Sequence, residues 1–105
     1  MALKPGAGFT LPSAGGHNMT LSFPNLSRSY DTTRRAVRFW GYDSAMETSF
    51  FVMADALRRL QPGTRPDETS LLSAFDSNRD QICAAAAKVY KRGNRGSYDL
   101  GPADF

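Results

Sequence analysis

One cysteine and one histidine are all that these 105 residues contain of either. A lone Cys83 cannot close an internal disulfide, and a free thiol suits a reducing cytoplasm. The same scarcity leaves a tetrahedral zinc site without ligands. His17 falls in a glycine-rich opening stretch, so a Ser–His–Asp or Cys–His arrangement would have no base inside the folded unit. No apolar run approaches the roughly 20 residues needed to cross a bilayer. The opening MALKPGAGFTLPSAGGHN also has no continuous apolar block, so it does not read as a secretory signal. A phosphate loop is missing too: Gly93-Asn94-Arg95-Gly96 follows a helical pattern, where the helix dipole has the wrong sign for an anion. These gaps exclude several mechanisms. The expectation is a cytoplasmic chain with no cofactor, no metal and no membrane association.

Charge of one sign does not dominate either. Thirteen basic residues face ten acidic ones for a net of +3, and the acids are spread among the bases. A binder of phosphate backbones usually concentrates its charge along one face. Net charge alone therefore argues little for nucleic acid.

What is present reads as one domain with a tail. Residues 1–18 hold four glycines and two prolines without a period, the composition of a flexible tail, and Met19 is a candidate true start. The folded unit is then 19–105. Thr20–Phe23 alternates polar and apolar residues, and Pro24-Asn25 ends it. In 34–40, Val37 and Phe39 share one face while Arg34, Arg38 and Trp40 share the other. The return strand METSFFV puts Met46, Thr48, Phe50 and Val52 on one side, and Glu47, Ser49 and Phe51 on the other. Residues 35–52 thus predict a β-hairpin with Gly41–Ala45 as its loop.

After the hairpin the period changes. Ala54–Leu60 reads as a short helix stopped by Gln61-Pro62-Gly63. Asp67 is a good N-cap for a long helix running to Lys91, with Leu71, Leu72, Phe75, Ile82, Ala86 and Val89 in one stripe. Lys88, Lys91 and Arg92 complement its C-terminal end. Ser97–Leu100 alternates again as a last strand, and GPADF forms something short. The fold class expected is α+β: a small antiparallel sheet, hairpin plus flanking strands, under one long C-terminal helix and one short one.

Candidate sites are few. Arg34, Arg38 and Trp40, with Phe51 across the hairpin, form the candidate binding surface. Arginine beside an exposed ring can stack a single-stranded base, yet sheet-surface binders usually offer aromatics on adjacent strands. Glu47 would pair with an arginine across the hairpin as readily. A protein partner or a homodimer is therefore favoured over nucleic acid. The nucleic-acid alternative would use the same face with Lys88, Lys91, Arg92 and Arg95. Arg79, at the edge of the apolar stripe, must find an acid or a bound anion; Asp43, Asp99 and Asp104 are the structural candidates. Those acids with Glu47 could also supply a carboxylate pair for an enzyme centred on Arg79. Arg79 lies one turn from Cys83, whose thiol is better read as a small buried group than as a nucleophile. The preferred reading is non-catalytic.

The order LSFPN (21–25), SYDTTRRAVRFWG (29–41), ADAL (54–57), AFDSNRDQI (74–82) and SYDLGPADF (97–105) resembles the bacterial family known as domain of unknown function 1488. The resemblance spans about 19–105. It implies a small stand-alone α+β protein of the bacterial cytoplasm, and it carries over no catalytic residue. It also implies a serine or threonine where Met53 stands, so the start of the short helix should lack a side-chain cap.

Overall fold

The structure is a computed structural model that describes residues 21–90 and 96–105. The expected tail 1–18, the candidate start Met19 and the basic residues Lys91, Arg92 and Arg95 lie outside the described residues.

Two short strands, β1 (Leu21–Ser22) and β2 (Ser29–Asp31), precede the long hairpin of β3 (Ala36–Asp43) and β4 (Met46–Met53). β1 and β2 pair along the same edge of β3, one at each end. The hairpin is in register from Ala36↔Met53 to Asp43↔Met46. Its loop is therefore Ser44-Ala45, shorter than the five residues expected, because Gly41–Asp43 continue the strand. Ser44 takes a left-handed φ of 56°, as the first loop residue of both primed turn types requires.

The chain then enters α1 (Ala54–Leu60), α2 (Glu68–Ser77) and α3 (Arg79–Tyr90), and returns as β5 (Ser97–Leu100) with a final 3-10 turn at Pro102–Asp104. The α+β architecture is as expected, with two differences in detail. β5 runs parallel to β4, so the sheet is mixed rather than wholly antiparallel: three helices lie between the two strands, a connection long enough to bring the chain back in the same direction. The expected long helix is also divided, into α2 and α3. Asn78 between them is non-helical at φ −119°, ψ 20°. Its side-chain amide donates to the Ala74 carbonyl and to Gln61 Oε1, an alternative to the helical ladder that short amides offer.

Helix starts differ in how they are satisfied. Asp67 caps α2 by accepting from Ser70 N–H. Met53 gives α1 no side-chain cap, as its apolar chain dictates; instead Ala54 N–H donates to the Arg35 carbonyl, which a left-handed φ of 55° at Arg35 helps to aim.

All three helices cover one face of the sheet. Val37, Phe39, Phe50 and Val52 from the hairpin join Tyr98 and Leu100 from β5 against Leu57, Leu71, Phe75, Ile82 and Ala86. Phe39 stacks on Phe50 at 5.4 Å and meets Phe75 of α2 at 5.1 Å, while Phe50 stacks on Tyr98 at 5.6 Å. Full burial of each such side chain contributes roughly 1.5–3 kcal/mol. This aromatic layer fixes which face of the hairpin is left over.

Candidate functional site

Side chains alternate across a strand, so burying Val37, Phe39, Phe50 and Val52 turns Arg38, Trp40, Tyr42, Glu47, Ser49 and Phe51 to the opposite face. The register sets Arg38 beside Phe51, Trp40 beside Ser49 and Tyr42 beside Glu47. Asp99 of β5 lies beside Phe51. Among the described residues no helix lies on this side. The four expected surface residues come together here, with Arg34 reaching in from the β2–β3 turn.

Their contacts form a ladder of cations and rings. The Arg34 guanidinium sits 4.1 Å from the Phe51 ring centre, and that of Arg38 lies 5.1 Å from Trp40 and 5.6 Å from Phe51. Such contacts contribute about 0.5–1 kcal/mol each at exposed positions. They also explain why Phe51, on the uncovered side of the sheet, is only 6% exposed: the arginine stems and head groups cover it. Phe51 thus supports the surface rather than offering its ring to a ligand. Trp40 is half-buried and keeps part of its ring open.

The two arginines differ in their partners. Arg34 is neutralised by Asp99 at 3.4 Å and Asp31 at 3.8 Å. Arg38 donates to Ser49 Oγ at 3.0 Å and has no carboxylate partner among the described residues. Glu47, expected to take an arginine across the hairpin, instead accepts from the Tyr42 hydroxyl at 2.7 Å. That bond pushes the Tyr42 phenol up. Asp31, Glu47 and Asp99 against Arg34 and Arg38 make three acids to two bases on this face. Beside it, a cleft of about 180 Å³ is lined by Arg34, Arg35, Met53, Ala54 and Asp55.

Arg79 lies on the other side of the sheet. Its guanidinium donates to the Leu26 carbonyl at 2.8 Å, lies 4.7 Å from the Phe75 ring and is 3.9 Å from Asp76. Asp76 is thus its acid, rather than Asp43, Asp99 or Asp104. An open cleft of about 300 Å³ runs past it along Asp76–Gln81. The other acids are dispersed: Asp43 accepts from the Tyr90 hydroxyl, Asp99 pairs with Arg34, and Asp104 accepts from Gly101 N–H. None of the four acids expected there, Asp43, Glu47, Asp99 and Asp104, lines the Arg79 cleft; its carboxylates are Asp76 and Asp80. Cys83 is half-buried on α3, and burial pushes its thiol up more than the nearby Arg79 lowers it. Lys88 is exposed on α3, in the helical layer; it does not extend the Arg38 face. No group of three or more potential metal ligands occurs among the described residues, and none of their helices is long and apolar enough to cross a membrane.

The sequence pointed to the four surface residues but not to the acids that hold Arg34. Asp31 and Asp99 come from a three-residue strand and a parallel strand, and hydrophobic alternation announces neither pairing.

The model of the family described as protein of unknown function, DUF1488, matches residues 21–100. A crystal structure of a DUF1488 protein of unknown function from Shewanella loihica PV-4 superposes with a TM-score of 0.70 at 19% identity, covering 81% of this chain and 96% of that one. At that identity the likeness is one of fold. No curated protein matches the chain.

Proposed function

We propose that this chain, which belongs to the DUF1488 family of proteins of unknown function, acts without catalysis by binding another protein through the uncovered face of its sheet. One observation carries the reading: Arg38, with no carboxylate partner among the described residues, stands over Trp40 and Phe51 at the centre of that face. Arginine and tryptophan together are the side chains most enriched where protein partners bind tightly. Three acids among two bases would repel a phosphate backbone, and Phe51 is too covered to stack a base, so the face suits protein better than single-stranded nucleic acid. The pairing of Asp43, Glu47, Asp99 and Asp104 away from Arg79 supports a non-catalytic role. A bacterial cytoplasmic setting is part of the same reading, supported by the source of the solved relative and by the free thiol.

The test is a paired substitution, Arg38→Glu with Trp40→Ala. Both positions lie outside the aromatic core, so circular dichroism should show the fold unchanged. Association seen with the wild-type chain in native lysate should be lost; association at full strength in the double variant overturns the proposal. Trp40 is the chain's one tryptophan, so its fluorescence reports directly on nucleic acid. Oligonucleotides should leave it unchanged at low ionic strength. Quenching that weakens steeply with salt would replace the protein-binding reading with the nucleic-acid one.

A further inference from the structure

The same face is complementary to itself. We infer that its partner is a second copy of this chain, docked face to face about a two-fold axis that crosses the strands at Trp40. The inference rests on the binding role proposed above and names its occupant.

The argument begins with two unpaired charges. Arg38 has no acid and Glu47 no base among the described residues, yet both are exposed on one sheet face. They stand in rows equally far from Trp40. Arg38 lies two residues before it on β3, and Glu47 lies beside Tyr42, two residues after it. The rows are about 13 Å apart at the rise of an extended strand. A two-fold axis across the strands at the Trp40 row exchanges them. The row of Arg38 and Phe51 in each copy then faces the row of Tyr42 and Glu47 in the other, which brings Glu47 within one strand spacing of Arg38, and the two Trp40 rings meet at the axis.

Lateral positions agree as well. An axis that crosses the strands keeps β4 over β4, so Glu47 of one copy arrives above Phe51 of the other. Arg38 already leans that way, with its guanidinium 5.6 Å from the Phe51 ring centre. Arg34, stacked on Phe51 at 4.1 Å, would flank the same carboxylate. Facing sheets are about 10 Å apart, a gap that the long side chains of Arg38, Trp40 and Glu47 can fill from both sides. One like charge stands in the same row: Asp99, beside Phe51 on β5, also flanks the incoming Glu47, but Arg34 already pairs with it at 3.4 Å, so two arginines face two carboxylates there. An interface of this kind is isologous, and both charge pairs form twice by symmetry.

Its size sets its strength. Four strand columns and eight residues along the hairpin give a face of roughly 500 Å² per copy from standard strand spacings. Two such faces bury about 1,000 Å², the low end for specific association. A reversible dimer in the micromolar range is expected.

Charge exchange tests the register directly. Sedimentation equilibrium of the full chain across micromolar concentrations should show a monomer–dimer equilibrium. Arg38→Glu alone and Glu47→Arg alone should each weaken it about a hundredfold or more, because each substitution creates two like-charge contacts. Mixing the two single variants should restore dimers, since every 38–47 contact is then of opposite sign, and the double variant should dimerise by itself. Melting curves of each variant keep loss of folding separate from loss of pairing. A wild-type chain that stays monomeric overturns the second copy as partner; the broader binding role is then judged by the Arg38→Glu, Trp40→Ala experiment. A dimer that ignores both single substitutions pairs elsewhere, and overturns the face as well.

Discussion

Gly41 is glycine for want of room. A Cβ there would stand 2.8 Å from Phe23 Cε2, 3.0 Å from Phe50 Cε2 and 3.2 Å from Leu21 Cδ1. It lies on the buried face of β3, where the Phe23 and Phe50 rings, 6.0 Å apart, close over the bare backbone. Gly41→Ala must displace at least one ring, and overpacking of this kind costs about 1–3 kcal/mol. Urea unfolding should show a lower midpoint with an unchanged slope. In sequence this glycine precedes Tyr-Asp-Ser and looks like the start of a loop. Its neighbour Phe23 is eighteen positions upstream, a distance over which alternation says nothing. Arg79 teaches the same lesson from the opposite side. Its need for an acid follows from its place on the apolar stripe, but Asp76 became that acid only through the geometry of the α2–α3 junction.

The hairpin is the element most plainly written in the residues. Val37 and Phe39 against Arg38 and Trp40, then Thr48, Phe50 and Val52 against Glu47, Ser49 and Phe51, specify both strands and both faces. What alternation cannot specify is direction or a partner. Ser97–Leu100 is recognisable as a strand, yet its parallel pairing with β4 follows from the three helices before it. β2 has three residues, too few for a period. Asn78 breaks a helix whose apolar stripe runs on through Phe75 and Ile82, so only the Asp-Ser-Asn run, residues that compete for backbone hydrogen bonds, hinted at the division. The turn of the hairpin holds one local conflict. Ser44 adopts φ 56°, a conformation that costs a residue with a Cβ roughly 1–2 kcal/mol. Ser44→Gly removes that cost and forfeits part of the gain to the greater freedom of unfolded glycine. Net stabilisation of about 0.5–1 kcal/mol is expected, read as a higher melting temperature.

At the level of the molecule, the helical layer and the sheet edge are tied by one cluster of charge. Arg28, in the connection between β1 and β2, donates from Nε and Nη2 to both carboxylate oxygens of Asp76 on α2, at 2.9 and 2.8 Å. Arg79 of α3 adds its bond to the Leu26 carbonyl in that connection. Two helices and the connection along the first edge of the sheet thus meet at Asp76. The hydrogen bonds from Arg28 hold the Asp76 carboxyl below its ordinary range, against a smaller opposing effect of burial. The folded chain therefore gives up this proton more readily than the unfolded one. The resulting stability is fully present above the unfolded aspartate value of about 3.9, and is lost as pH falls through the lower folded value. With side chains 33% and 47% exposed, the pair contributes no more than about 1 kcal/mol. Asp76→Asn should lower the melting temperature slightly at neutral pH, and its melting temperature should fall less steeply than that of the wild type below pH 4. Parallel acid profiles for the two chains would show instead that Arg28 and Asp76 are neighbours in the fold without holding its two layers together.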